Sequence, residues 1–423
     1  MRFTEKHNST PIYLLILFVL TNIIGCDRKS PQIDPPVAKS DPPVVKSDPT
    51  IHCQKESATS FLVIGGGGAP SNNEIALEKN LLYFQRSLCK IGYTPKQAKV
   101  FFANGNNGEA TIRYIDESKR EQYKPPNIPN LNGSSTYRNL KSSLLEDQSV
   151  KPLFFYFTGH GLLNKKNNND NTIILWNEQY VSVKQLAKVL DQMPYQKPFV
   201  TMMSQCYSGS FTNLIYKNGD RLQPIAKQRR CGFFATIKTL PSVGCTPEVD
   251  EADYQDYSSS FYAGLTGVNR VNQPVPSADY NLNGKVAYNE AHAYAKIDDK
   301  STDLPISTSE AWLQERESQK DRDVIVNQPI ASLLVSARPE QHFVVSSIIK
   351  MLNINIALSF NQNKKVLALI LNDEIKQTYL ERLRMELTNI VMEKQIRKLG
   401  DHNNINIIDR LIECESGSWE NNS

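Results

Sequence analysis

Two short segments deliver reactive side chains to the ends of apolar runs. PLFFYFT at 152–158 runs straight into Gly159-His160-Gly161, and PFVTMMSQ at 198–205 into Cys206-Tyr207-Ser208-Gly209-Ser210-Phe211. A cysteine attacks an acyl carbon as its thiolate, and imidazole is the side chain suited to taking the thiol proton near neutral pH. A buried strand fixes the position of the residue at its end, while a glycine there lets the chain turn sharply and a substrate approach. Backbone N–H groups at the same strand ends can hold the oxyanion of an acyl-transfer intermediate. The pair therefore predicts acyl transfer with His160 as general base and Cys206 as nucleophile. None of this requires a cofactor.

Either motif alone is weak. A single buried cysteine is usually an inert apolar residue, and Gly-His-Gly on its own is a flexible turn. Their order, their places after apolar runs and their separation of 46 residues carry the reading, since caspase-type enzymes hold the histidine roughly 50 residues upstream of the cysteine. The pattern resembles the caspase and haemoglobinase clan of cysteine peptidases over about residues 60–300. CYSGSF is similar to the legumain form Cys-x-Ser-Gly-Ser, and Gln205 to the caspase form. The resemblance implies the clan's fold, thiol-dependent endopeptidase activity on peptide or protein substrates, an oxyanion held by the N–H groups of Gly161 and Cys206, and sharp selection of the residue before the cut. A transpeptidase of the same fold, or an inactive calcium-responsive binding lipoprotein, are the alternatives. Asp253, Asp256 and Ser258 to Ser260 stand where a specificity pocket or merely a polar loop is expected. Cys414-Glu415-Ser416-Gly417-Ser418 repeats the legumain motif, but with no apolar strand before it and in an expected frayed terminus. The glycines 65–68 lack the Lys-Ser/Thr of a phosphate loop and read as a tight turn.

The elements that must hold this dyad alternate between strand and helix. FLVI at 61–64, KVFF at 99–102, 152–158, TIILW at 172–176, 198–203 and GFFATI at 232–237 read as buried strands. Ser71-x-x-Glu74 predicts a capping box for a helix through about residue 91, and further helices are expected over 136–147 and 183–193. The loop 104–134 reads as a rim. The alternation predicts an α/β protein, a three-layer α/β/α sandwich with a mostly parallel sheet, and ligands in such folds bind at the carboxyl ends of strands. Residues 301–423 read as a linker and a mainly helical C-terminal extension, with Leu380, Leu383, Leu387, Val391 and Ile396 as an apolar stripe.

The N-terminus predicts where the chain works. An apolar run at 12–24 follows Arg2 and Lys6 and ends in Ile23-Ile24-Gly25-Cys26, which resembles a bacterial lipobox. Residues 1–25 are thus expected to be a lipoprotein signal peptide and Cys26 the lipidated first residue. That places the protein in the bacterial envelope, on the inner membrane facing the periplasm or on the outer membrane. Residues 26–57, with DPPVAKS followed by DPPVVKS, are expected to form a Pro-rich tether, whose stretch from Asp27 to Thr50 could span up to about 70 Å in polyproline II. A net charge of +4 without a basic stripe argues against a nucleic-acid partner. Of the seven cysteines, Cys231 and Cys245 are the first pair to test as a disulfide.

A second motif lies at 279–290. Asp279, Asn281 and Asn283, Gly284, the carbonyl of Lys285 and Glu290 match the twelve-residue EF-hand pattern, so a structural Ca²⁺ is expected there or, in its place, an Asx-rich turn before a helix. His292 and His342 read as surface or packing residues.

Overall fold

In the computed structural model, which describes residues 53–146, 149–367 and 373–420, apolar side chains alternate between two cores along strand after strand. The strands in chain order are β1 (Ser60–Gly66), β2 (Ala98–Phe102), β3 (Ile112–Ile115), β4 (Glu121–Lys124), β5 (Leu131–Gly133), β6 (Leu153–Gly159), β7 (Gly161–Leu162), β8 (Thr172–Leu175), β9 (Gln179–Ser182), β10 (Phe199–Met203), β11 (Arg230–Phe234) and β12 (Ile306–Ser307). Phe61, Val63, Phe154, Tyr156, Val200, Met202 and Phe233 enter one core, and Leu62, Ile64, Phe155, Phe157, Phe199, Met203 and Phe234 the other. Because successive residues of a strand point to opposite faces, such runs are apolar throughout only when both faces are covered.

The cover is helical on each side. α1 (Ile75–Lys90), α4 (Tyr257–Thr266) and α5 (Tyr288–Asp298) pack on the first face. α2 (Tyr137–Glu146) and α3 (Val183–Leu190) pack on the second. The sheet runs β12-β11-β10-β6-β1-β2-β5, parallel except where β12 meets β11. The chain moves outward from β1 to β2 and β5, then returns to β6 on the other side of β1. Strand order therefore reverses between β1 and β6, which opens a crevice at their carboxyl ends. Gly66 pairs with Gly159 there, one residue before His160.

Several expectations change. The stretch 104–134 is more than a rim, since it supplies the hairpin β3–β4 and the edge strand β5. TIIL belongs to a separate antiparallel sheet of β7, β8 and β9; a buried apolar run looks the same in either sheet. The boundary expected at residue 300 falls inside the packed unit. Beyond it come β12, α6 (Thr308–Gln314), α7 (Gln319–Asn327), α8 (Ile330–Leu333), α9 (Pro339–Leu352), α10 (Phe360–Leu367), α11 (Glu374–Leu399) and α12 (His402–Glu415). The stripe Leu380, Leu383, Leu387 and Val391 packs in a core shared with α7 to α10, while Ile396 joins α12.

The expected frayed terminus is a core element. Cys414 forms a disulfide with Cys231 of β11, which displaces the Cys231–Cys245 pairing; Cys53 pairs with Cys89. Glu415 is buried and accepts from Ser309 N–H at 2.7 Å at the start of α6. Trp419 packs edge-on against Phe61, Phe84 and Phe154, and its carbonyl accepts from Ser57 Oγ at 3.2 Å. The signal segment, Cys26 and nearly all of the tether lie outside the described residues. Among the described residues no helix is long and apolar enough to cross a membrane.

Candidate active site

The backbones of β6 and β10 set the geometry. Phe157 pairs with Met203, and the Ser204 N–H donates to the Phe157 carbonyl at 3.1 Å, so the two exits stay side by side. A Cβ added to Gly161 would lie 2.2 Å from the Cys206 carbonyl oxygen. Only glycine allows that approach. After Cys206 the chain turns through Tyr207, whose φ of 59° is left-handed, into the buried 3₁₀ segment Ser208–Ile215. A bulky residue rarely adopts this conformation, and such strain gathers at functional sites.

His160 and Cys206 are both buried, each 6% exposed. The ring of His160 is held from behind. Its Nε2 lies 2.8 Å from the Asn72 carbonyl and 3.0 Å from Glu74 Oε2. A carbonyl only accepts, so Nε2 carries the hydrogen and, in the neutral ring, the lone pair is on Nδ1. The Asn72 carbonyl reaches the ring because the glycine run folds the turn Pro70–Asn72 back on itself. A Cβ on Gly67 would fall 1.7 Å from that oxygen.

Glu74 is the residue that sequence reasoning placed wrongly. The Ser71–Glu74 capping box does not form; α1 starts at Ile75, with Glu74 at the cap position making no side-chain cap bond. Its carboxylate instead holds His160 and pairs with Arg113 of β3 at 2.8 Å. Burial alone would raise its pKa, but the bonds to His160 and Arg113 hold the carboxyl below its ordinary value.

A strap of chain from Ser242 to Pro247 lies against both reactive side chains. Ser242 N–H donates to Cys206 Sγ at 3.3 Å, and Cys245 Sγ lies 3.9 Å from His160 Nδ1. Its ends are tied down: Ser242 Oγ and Val243 N–H bond to Asp303, and the Thr246 and Pro247 carbonyls accept from Ala76 and Ile115. Asp303 is in turn set by α11, where Arg382 donates to the carbonyls of Lys296, Asp299, Ser301 and Asp303. The C-terminal helices therefore help position the site. Asp256 lies under the strap, with its Cβ 2.7 Å from where a Cβ on Gly244 would be. It caps α4 through Ser259 N–H and pairs with Arg270, while Asp253 sits in a 3₁₀ turn. Those serines begin α4 and do not form an open pocket wall.

Elsewhere the histidines pack as expected. His292 is buried between Tyr257 and Glu310, and His342 bonds to Ser346. In the 279–290 loop Gly284 has a φ of 84°. Asp279 accepts from Asn283 and Gly284, and the side chains of Asn281 and Asn283 accept from Asn283 and Lys285. Glu290 is fully buried in the first turn of α5 and accepts from Tyr280, Asn281 and Ala287. Both Asp279 oxygens and Glu290 Oε2 accept one bond each and keep a second lone pair for a cation, whereas Glu290 Oε1 already accepts two. Compared with sequence models of known families and with curated proteins, the chain finds no match in either.

Proposed function

We propose that the chain is a cysteine endopeptidase of the caspase-haemoglobinase fold, working through His160 and Cys206. The supporting observation is the close seating of Gly161 on the Cys206 carbonyl at the crevice where strand order reverses. The ring of His160 is held by Asn72 and Glu74 so that Nδ1 is the basic atom. In the reaction Nδ1 takes the Cys206 thiol proton and the sulfur attacks the scissile carbonyl carbon. The N–H groups of Gly161 and Cys206 hold the oxyanion; Tyr207 N–H is committed to the Leu240 carbonyl. His160 passes the proton to the leaving amine, and water then releases the acyl group. An amine in place of water gives transpeptidation by the same intermediate. A peptide library presented to the purified protein tests the reading: cleavage after a restricted set of residues, with a thiol-directed inhibitor recovered on Cys206, is the expected result. No turnover of any library member overturns it.

The site is proposed to work at a bacterial membrane surface, attached through Cys26. Cys26→Ser is expected to abolish radiolabelled palmitate incorporation and release the protein from the membrane fraction; equal labelling of both forms would falsify the anchor.

The loop 279–290 is proposed to hold a structural Ca²⁺ through Asp279, Asn281, Asn283, the Lys285 carbonyl and Glu290. With two carboxylates the Kd is expected near 10⁻⁴–10⁻³ M, roughly the range of extracellular modules. Millimolar Ca²⁺ should raise the Tm by about 2–4 °C, and Glu290→Gln should erase the rise. Superimposable melting curves with Ca²⁺ and with chelator leave the loop a turn.

A further inference from the structure

Cysteine at position 245 is not needed to close the strap, whose ends are tied by Asp303, Ala76 and Ile115. Yet its sulfur is brought to 3.9 Å from His160 Nδ1, the ring atom that carries the lone pair. Ligand atoms of Glu74, His160 and Cys245 all fall within 4.8 Å of one another. A tetrahedral zinc ion with N and S bonds of about 2.05 and 2.3 Å separates those two atoms by about 3.5 Å, so a shift of a few tenths of an ångström converts the contact into a bite. The far edge of the ring already has its second partner. Glu74 accepts from Nε2–H at 3.0 Å, and a carboxylate on the remote nitrogen is what orients and strengthens metal-binding histidines.

We propose that His160 Nδ1 and Cys245 Sγ form a binding site for one Zn²⁺, backed by Glu74. Sulfur and imidazole donors favour a borderline-soft ion over Ca²⁺ or Mg²⁺. Binding replaces the Cys245 S–H proton by the ion, so one proton is released per ion bound, and a second where the Cys206 thiol also loses its proton to ligate. The remaining positions go to water or to the Cys206 thiolate. The ion occupies the lone pair that must accept the Cys206 proton, so the bound form is inactive. That consequence rests on the peptidase reading, whereas the binding does not.

The test is made on the full chain in detergent, with Zn²⁺ competed against a chromophoric chelator and Co²⁺ as the spectroscopic probe. One ion per chain and a thiolate-to-cobalt charge-transfer band are expected. Cys245→Ser should weaken Zn²⁺ at least tenfold and remove the band, with an unchanged melting curve as the folding control. Glu74→Gln should weaken it less, and Cys206→Ala should keep a Cys245-dependent band. Failure of the wild type to compete for Zn²⁺, or wild-type affinity in Cys245→Ser, overturns the site. Zn²⁺ binding that depends on Cys245 in a chain that cleaves nothing supports the site and removes only the peptidase reading. Cys206-dependent cleavage without Zn²⁺ binding does the reverse.

Discussion

Cys206→Ala is expected to lower peptide hydrolysis by roughly 10³–10⁶-fold, and His160→Ala by a comparable factor, because members of one nucleophile–base unit fail together. The double variant should be little worse than either single one. What remains comes from substrate binding and the oxyanion donors, which both variants retain. The measurement is kcat/KM on the best library peptide, paired with mass-spectrometric location of a thiol-directed inhibitor. The structure sharpens this test, since a second sulfur, that of Cys245, borders His160. Cys206 stands at the β10 exit with Ser242 N–H donating to its sulfur, and Cys245 faces Nδ1. If activity and label are lost with Cys245→Ala and survive in Cys206→Ala, the strap cysteine is the nucleophile and the assignment made here is wrong.

Cys414→Ala is expected to cost about 5 kcal/mol of stability and to lower the Tm by about 10 °C. The bridge to Cys231 spans a sequence separation of 183 residues, and closing a loop of that length removes about that much from the freedom of the unfolded chain in the entropic account. Domains are stable by only ~5–15 kcal/mol in all, so the loss is a third or more of the total. Both sulfurs lie in the aromatic core beside Phe233 and Trp419, where little room exists to relax. Melting of the variant against the wild type under non-reducing conditions measures it. Identical melting curves, or a peptide map that recovers Cys231 and Cys414 as thiols, removes the bridge.

The strands that end at His160 and Cys206 were legible because they are fully buried in a covered sheet, and PLFFYFT and PFVTMM announce themselves by unbroken apolar composition. β5 was not legible: Leu131–Gly133 is a three-residue edge strand containing Asn and Gly, with no alternation long enough to read. Glu74 was misread because Ser-x-x-Glu is a local signal, whereas its real partners, His160 and Arg113, lie 86 and 39 residues away. Tertiary pairing overrode the cap. The tail was misread for the same kind of reason. Trp419 stands in a polar run, SGSWENNS, and nothing local reveals that its indole completes the cluster of Phe61, Phe84 and Tyr262. The cysteine pairing was undecidable from spacing, and the nearer partner lost to the more distant one.

Trp419 also dictates an order of events. A chain made from its amino end produces β1 first and this indole among its last described residues, yet the two meet through Phe61, and Ser57 bonds to the Trp419 carbonyl across 362 positions. The first face of the sheet therefore stays open until almost the whole chain has emerged. Contacts this distant in sequence make assembly slow and leave apolar surface exposed in the meantime. For a chain exported as proposed above, the polypeptide crosses the membrane still unfolded, in the form a narrow export channel accepts, and the sheet is closed only after Trp419 has crossed.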